Sequence, residues 1–127
     1  MYQKIRKSIK SDINIVNEVV KEILLSIKNN LEDEQLFNIR LVLSELIINS
    51  IQHGNKYDIN KNIDIVLVVE DTFIKVCVTD EGDGFCYEEN LNDSNFTENG
   101  RGLILVNGLM DRCVIDNNIV LCVKYIK

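Results

Sequence analysis

The sequence predicts an α+β two-layer sandwich, a mixed and mainly antiparallel sheet packed under three main helices. Two observations carry this. Apolar residues recur at helical spacing over 13–27 and again over 36–50, while residues 63–79 and 113–126 alternate with a period of two. Strands therefore come in runs beside runs of helices, in the order strand, helix, helix, strand, strand, long polar connection, helix, strand, strand.

Each element has a local reason. Residues 2–10 alternate loosely, Tyr2, Lys4 and Arg6 against Gln3, Ile5 and Lys7, and predict a first strand with a solvated Lys-rich face. Ser11 or Asp12 can cap a helix whose apolar positions are Ile13, Val16, Val20, Ile23, Leu24 and Ile27, ended by Asn29 and Asn30. Glu32–Glu34 suit the positive end of a second helix, which runs through Leu36, Ile39, Val42, Leu43, Leu46, Ile47 and Ser50. Gly54 is the natural residue for its C-terminal stop. Ile63–Val69 and Phe73–Thr79 predict two strands joined by Glu70-Asp71-Thr72. Leu103–Met110 predicts a third helix, and Cys113–Asp116 with Ile119–Ile126 a closing hairpin around Asn117-Asn118. Between them, residues 80–100 are rich in Gly, Asn, Asp and Glu; a connection of that length in a small domain is usually functional, such as a lid.

Size and charge narrow the function classes. The 127 residues suit one domain, expected to span 1–127, and a hydrophobic fraction of 46% supports a core without disulfide staples. A net charge of -6 argues against a sequence-independent nucleic-acid surface. No apolar run reaches membrane-helix length and the N-terminus lacks the basic-then-apolar order of a signal peptide, so a cytoplasmic protein without membrane association is expected. The four cysteines form no Cys-x-x-Cys pair and His53 is the single histidine, which argues against zinc ligation. Cys77 and Cys122 read as small core hydrophobes.

Three segments can carry chemistry. Glu45 and Asn49 stack four residues apart on one helix face. A carboxylate can take a proton and a carboxamide oxygen can ligate a hard cation such as Mg²⁺. Alone, the pair also fits the polar edge of a core helix. Asp80-Glu81-Gly82-Asp83-Gly84-Phe85 directly follows a strand. Asp80 can accept a hydrogen bond from an exocyclic amine such as adenine's, and Gly82 and Gly84 permit positive φ and leave no Cβ between backbone and ligand. By spacing alone, an acidic β-turn fits that segment equally well. Gly100-Arg101-Gly102 precedes a helix N-terminus, where free N–H groups suit a phosphate, or it is simply a flexible entry turn. Neither a Walker A motif nor a dinucleotide fingerprint is present.

Together and in order, Glu45-x-x-x-Asn49-x-x-x-His53-Gly54, Asp80-x-Gly82-x-Gly84-Phe85 and Gly100-x-Gly102-Leu103 resemble the N, G1 and G2 boxes of the gyrase, Hsp90, histidine kinase and MutL superfamily. Ser44 before Glu45, and Met110-Asp111 after the G2 box, make the chain similar to the bacterial anti-sigma-factor serine/threonine kinases, over essentially its whole length. The resemblance implies a Bergerat-type ATP-binding fold with ATP and Mg²⁺ as cofactors. Asn49 would hold the Mg²⁺ and Glu45 would act as general base. Asp80 would read the adenine amine beside Gly82 and Gly84. Residues 86–99 would form the lid, and Gly100, Gly102 and Leu103 at the helix start would hold the phosphates. Arg101 adds charge there or faces solvent. His53 closes the N box; by position it also reads as a residue near a helix end, where the dipole favours a cation. Two departures stand out. Asn118-Ile119-Val120-Leu121 lacks the family's Thr at the last strand, and the lid contains no basic residue.

The expected function is therefore an ATP-dependent serine/threonine kinase acting as an anti-sigma factor, with a sigma factor and a small antagonist phosphoacceptor as partners and a homodimer as the family's usual state. A non-catalytic ATP-binding switch module is the alternative. A detached histidine-kinase domain is the third reading, disfavoured because the only histidine lies inside the N box.

Overall fold

A computed structural model describes residues 2–82 and 106–126. The alternating N-terminus forms β1 (Gln3–Lys10), with Lys4, Arg6, Ser8 and Lys10 exposed and Ile5 and Ile9 turned to the helices. On that inner side Lys7 pairs with Glu22, and the Gln3 amide donates to the Ser26 carbonyl at 2.6 Å, so β1 is fastened to the first helix.

That helix begins later than the sequence suggests. Asp12 accepts the Asn14 N–H at 2.9 Å and caps a 3-10 turn, Ile13–Ile15, after which α1 spans Val16–Ile27. Val16, Val19, Val20, Ile23 and Ile27 form its buried stripe. A second 3-10 turn, Lys28–Asn30, closes it. The next helix, α2 (Asp33–Asn49), opens on a capping box in which the Glu32 N–H donates to Gln35 Oε1 at 2.8 Å. The sequence shows the acidic first turn but not this reciprocal bond.

Strands β2 (Asn62–Val69), β3 (Phe73–Thr79), β4 (Arg112–Asp116) and β5 (Ile119–Tyr125) complete a five-stranded sheet in the order β1-β2-β3-β5-β4. All four pairings are antiparallel, so the mainly antiparallel sheet expected from sequence has no parallel pair among the described residues. Residues 106–109 are helical, inside the expected third helix. Val106 and Met110 join the core between helices and sheet, which gathers Ile63, Ile65, Leu67, Val76, Val78 and Val120 from the sheet's inner face.

The period of two decides the cysteines. Val76 and Val78 point inward, so Cys77 falls on the outer face and is half-buried rather than core. Cys122, opposite Val76, is fully buried as expected. Among the described residues no helix is long and apolar enough to cross a membrane.

Candidate functional site

Glu45 and Asn49 sit one turn apart at the C-terminal end of α2, whose apolar stripe of Val42, Leu43, Leu46 and Ile47 presses on the sheet. Glu45 is half-buried and Asn49 is 2% exposed. Asn49 Nδ2 is buried without a hydrogen-bond partner among the described residues. An unpaired buried amide costs about 1–3 kcal/mol. Such a group calls for a partner, which a water, an ion or a ligand can supply.

Beyond Asn49 the helix widens. Ser50–Gly54 is a π-helical turn, closed by the Asn55 N–H donating to the Ser50 carbonyl at 2.8 Å. Single π turns recur at functional sites. His53 is half-buried within this turn. The chain then leaves through Lys56 (φ 50°) and Tyr57 (φ 62°), and the Tyr57 N–H reaches the Ile51 carbonyl at 2.8 Å. The helical turn ends at Gly54, where a stop was expected, and the left-handed residues that follow are Lys56 and Tyr57.

Gly54 is needed for a different reason. A Cβ there would lie 2.0 Å from Asp80 Oδ2 and 2.2 Å from its Cγ. Gly82 is similar: its Cβ would meet the Gly54 carbonyl oxygen at 2.0 Å. The missing Cβ of Gly82, expected to leave space for a ligand, thus has a structural role as well. Its absence lets the end of β3 lie against the end of the α2 segment. This contact sets Asp80 beside the N-box helix.

Asp80 follows β3 and is 4% exposed. Its N–H donates to the Asn118 carbonyl at 3.0 Å, its own carbonyl accepts from Asn118 Nδ2 at 2.5 Å, and its Oδ1 accepts the Gly82 N–H at 2.9 Å. Burial raises the Asp80 pKa above the ordinary 3.8, against the opposing pulls of the Gly82 N–H and Lys61. A donor reaching the carboxylate would favour its charged form and offset that penalty.

Two residues that hold this arrangement escaped the sequence reading. Asn55, 1% exposed, accepts the Glu81 N–H at 2.8 Å and donates to Ser11 Oγ at 2.6 Å and the Asn62 carbonyl at 3.0 Å. It ties the N-box end to both β1 and the β3 exit. Its only sequence signal is its place directly after His53-Gly54. Asn118 read as a turn residue, and it is one, yet its side chain clamps the Asp80 backbone from the β4–β5 hairpin. The remaining expected site residues, Gly84, Gly100, Arg101, Gly102 and Leu103, lie outside the described residues, as do the expected lid 86–99 and Cys86. A cleft of about 610 Å³ between α1 and α2, lined by Lys21, Leu24, Leu25, Phe37 and Arg40 among others, contains none of the expected site residues.

Residues 10–124 match the histidine kinase-like ATPase domain. The chain is 28% identical over 95 residues to "Serine-protein kinase RsbW" of Bacillus subtilis, covering 67% of this chain and 59% of that protein. It is 28% identical over 92 residues to "Anti-sigma F factor" of Geobacillus stearothermophilus, covering 68% and 63%. A third relative, "Serine-protein kinase RsbW" of Staphylococcus aureus strain MW2, is 30% identical over 105 residues, covering 69% and 64%. The chain thus spans about three-fifths of the length of the curated relatives it matches. With the match running over both long helices and four of the five strands, the chain belongs to the histidine kinase-like ATPase domain family.

Proposed function

We propose that residues 1–127 form a single kinase-like domain that uses ATP to phosphorylate a Ser or Thr of a small antagonist protein, and that the same domain binds a sigma factor. The observation that carries this reading is Asn49: a buried carboxamide with an unpaired end, one turn beyond Glu45, on the helix whose exit touches the buried Asp80. The names of the relatives support the kinase and anti-sigma parts of it.

The residues present fit Mg²⁺-ATP. Which end of a carboxamide faces a given side is assigned from its hydrogen bonds, so the unpaired Asn49 terminus suits an oxygen turned to a cation as well as an N–H turned to a phosphate. Asn49 would hold the ion, which when bound neutralises charge on the phosphates. Asp80 would accept the adenine amine, with its backbone fixed by Asn118 and the neighbouring Glu81 N–H fixed by Asn55. Glu45 would orient the acceptor hydroxyl and take its proton as the phosphoryl group is transferred. Gly100, Gly102 and Leu103 would face the phosphates at a helix start.

The experiment is transfer of labelled phosphate from ATP to candidate acceptor proteins, with Glu45→Ala beside the parent chain. Loss of a positioned general base predicts transfer slowed about 10²–10⁴-fold, while ADP affinity stays within about threefold, since uniform binding is unaffected. Transfer at the parental rate by Glu45→Ala would remove the assigned role. A parent chain that binds ATP tightly yet labels no acceptor would favour a passive switch.

A further inference from the structure

The β4–β5 hairpin carries two cysteines that the proposed phosphoryl transfer does not use. Cys113 and Cys122 are directly opposite in the antiparallel register. The turn between the strands is Asn117-Asn118, two residues long, with Asn117 at φ 53°. A two-residue turn makes its flanking pair, Asp116 and Ile119, the hydrogen-bonded one. By alternation Cys113–Cys122 falls at a non-hydrogen-bonded pair, where facing side chains come closest. The two sulfurs lie 2.8 Å apart. Disulfide geometry, about 2.05 Å between sulfurs, is reached from there by a sub-ångström movement.

The two thiols have unequal access. Cys113 is half-buried on a strand that has a neighbour on one side only among the described residues, whereas Cys122 is 0% exposed. Cys77 is excluded as a competitor because its cross-strand partner is Leu121, on the other face of the sheet. The hydrogen bond that Cys113 shares with Cys122 holds the Cys113 pKa below the ordinary 9.0, while the same bond and burial push Cys122 up. A partly exposed thiol facing a fully shielded one is the arrangement of an attacking and a resolving cysteine.

We propose that Cys113 and Cys122 are a thiol-modification site that takes low-molecular-weight disulfides, such as oxidised glutathione, and closes to an intrachain disulfide. The Cys113 thiolate attacks one sulfur of the external disulfide, forms a mixed disulfide and releases one thiolate. Cys122 then attacks the Cys113 sulfur and expels the second thiolate, its proton passing to the departing thiol. Two protein thiols and one external disulfide become one protein disulfide and two small thiols. The bond staples β4 to β5. It also fixes the turn that holds the Asp80 N–H and carbonyl.

Oxidised glutathione, alkylation of the remaining thiols and peptide mapping by mass spectrometry test this on the full chain. The expected product is a Cys113–Cys122 cross-linked peptide that dithiothreitol reverses. Cys122→Ser should instead retain one glutathione on Cys113, and Cys113→Ser should give no cross-link. Amide exchange should slow about tenfold across residues 112–125 and at the Asp80 N–H in the oxidised form, as expected for suppressed local opening. A stable glutathione adduct on Cys113 of the parent chain, alkylation of both thiols after treatment, or unchanged exchange in the cross-linked chain would each overturn the proposal.

Discussion

Alanine at position 82 is expected to destabilise the fold by about 2–3 kcal/mol, the cost of overpacking a site that cannot relax, and to remove adenine-nucleotide binding. The added Cβ would sit 2.0 Å from the Gly54 carbonyl oxygen and 2.6 Å from its carbon, both backbone atoms. No rotamer change clears them. The β3 exit and the π-helical turn must separate, and Asp80 moves away from the N-box helix with them. Gly108 provides the control. A Cβ there meets nothing within 4 Å, so Gly108→Ala should leave binding unchanged and stability equal or slightly raised. Chemical denaturation with ADP titration measures both arms. Parental stability and affinity in Gly82→Ala would show that the two segments are not locked together.

Asp80→Asn should separate stability from binding. The variant is expected to melt above the parent chain near neutral pH and to bind ADP about 10–100-fold more weakly, the range for a hydrogen bond to a charged group. Burial raises the folded-state pKa of Asp80. The folded chain therefore holds this proton more firmly than the unfolded chain does. Between the two pKa values the unfolded state binds fewer protons, so stability falls as pH rises through that window. Above it the full penalty persists. Asparagine carries none of it and keeps an oxygen for the Gly82 N–H. The gain should be present at neutral pH and vanish below the ordinary carboxylate value of 3.8, where Asp80 is protonated in both states. Thermal melts of the two proteins across pH check the sign. A stabilisation that persists unchanged below that value would assign the effect to something other than ionisation.

These two residues also mark where sequence reading succeeds and where it stops. Asp80 stood out only through the three segments taken together, because a carboxylate at a strand end beside glycines fits an acidic turn equally well. The α2 stripe and the hairpins were visible because apolar period is a local property. The reason for Gly82 was not, because the contact that requires glycine is with Gly54, far away in sequence. The same holds for the asparagines. Asn55 reaches a partner 26 positions away and Asn118 one 38 positions away. Both residue types are common in turns, so nothing local separates a clamp from an ordinary turn. The π-helical turn after Asn49 was hidden as well: Ser50–Gly54 continues directly from α2, and nothing in its residue types separates π from α spacing.

We propose that adenine nucleotide occupies the place where Gly54, Asp80 and Gly82 meet, beyond the end of the helix that carries Asn49. Backbone amide shifts in a ¹⁵N-labelled chain titrated with Mg²⁺-ADP test it most directly. The account predicts the largest changes at Asn49, the Asn49 side-chain amide, Gly54, Asp80 and Gly82. Changes centred instead on the α1–α2 cleft, at Lys21, Leu24, Phe37 and Arg40, with those site signals unmoved, would contradict it.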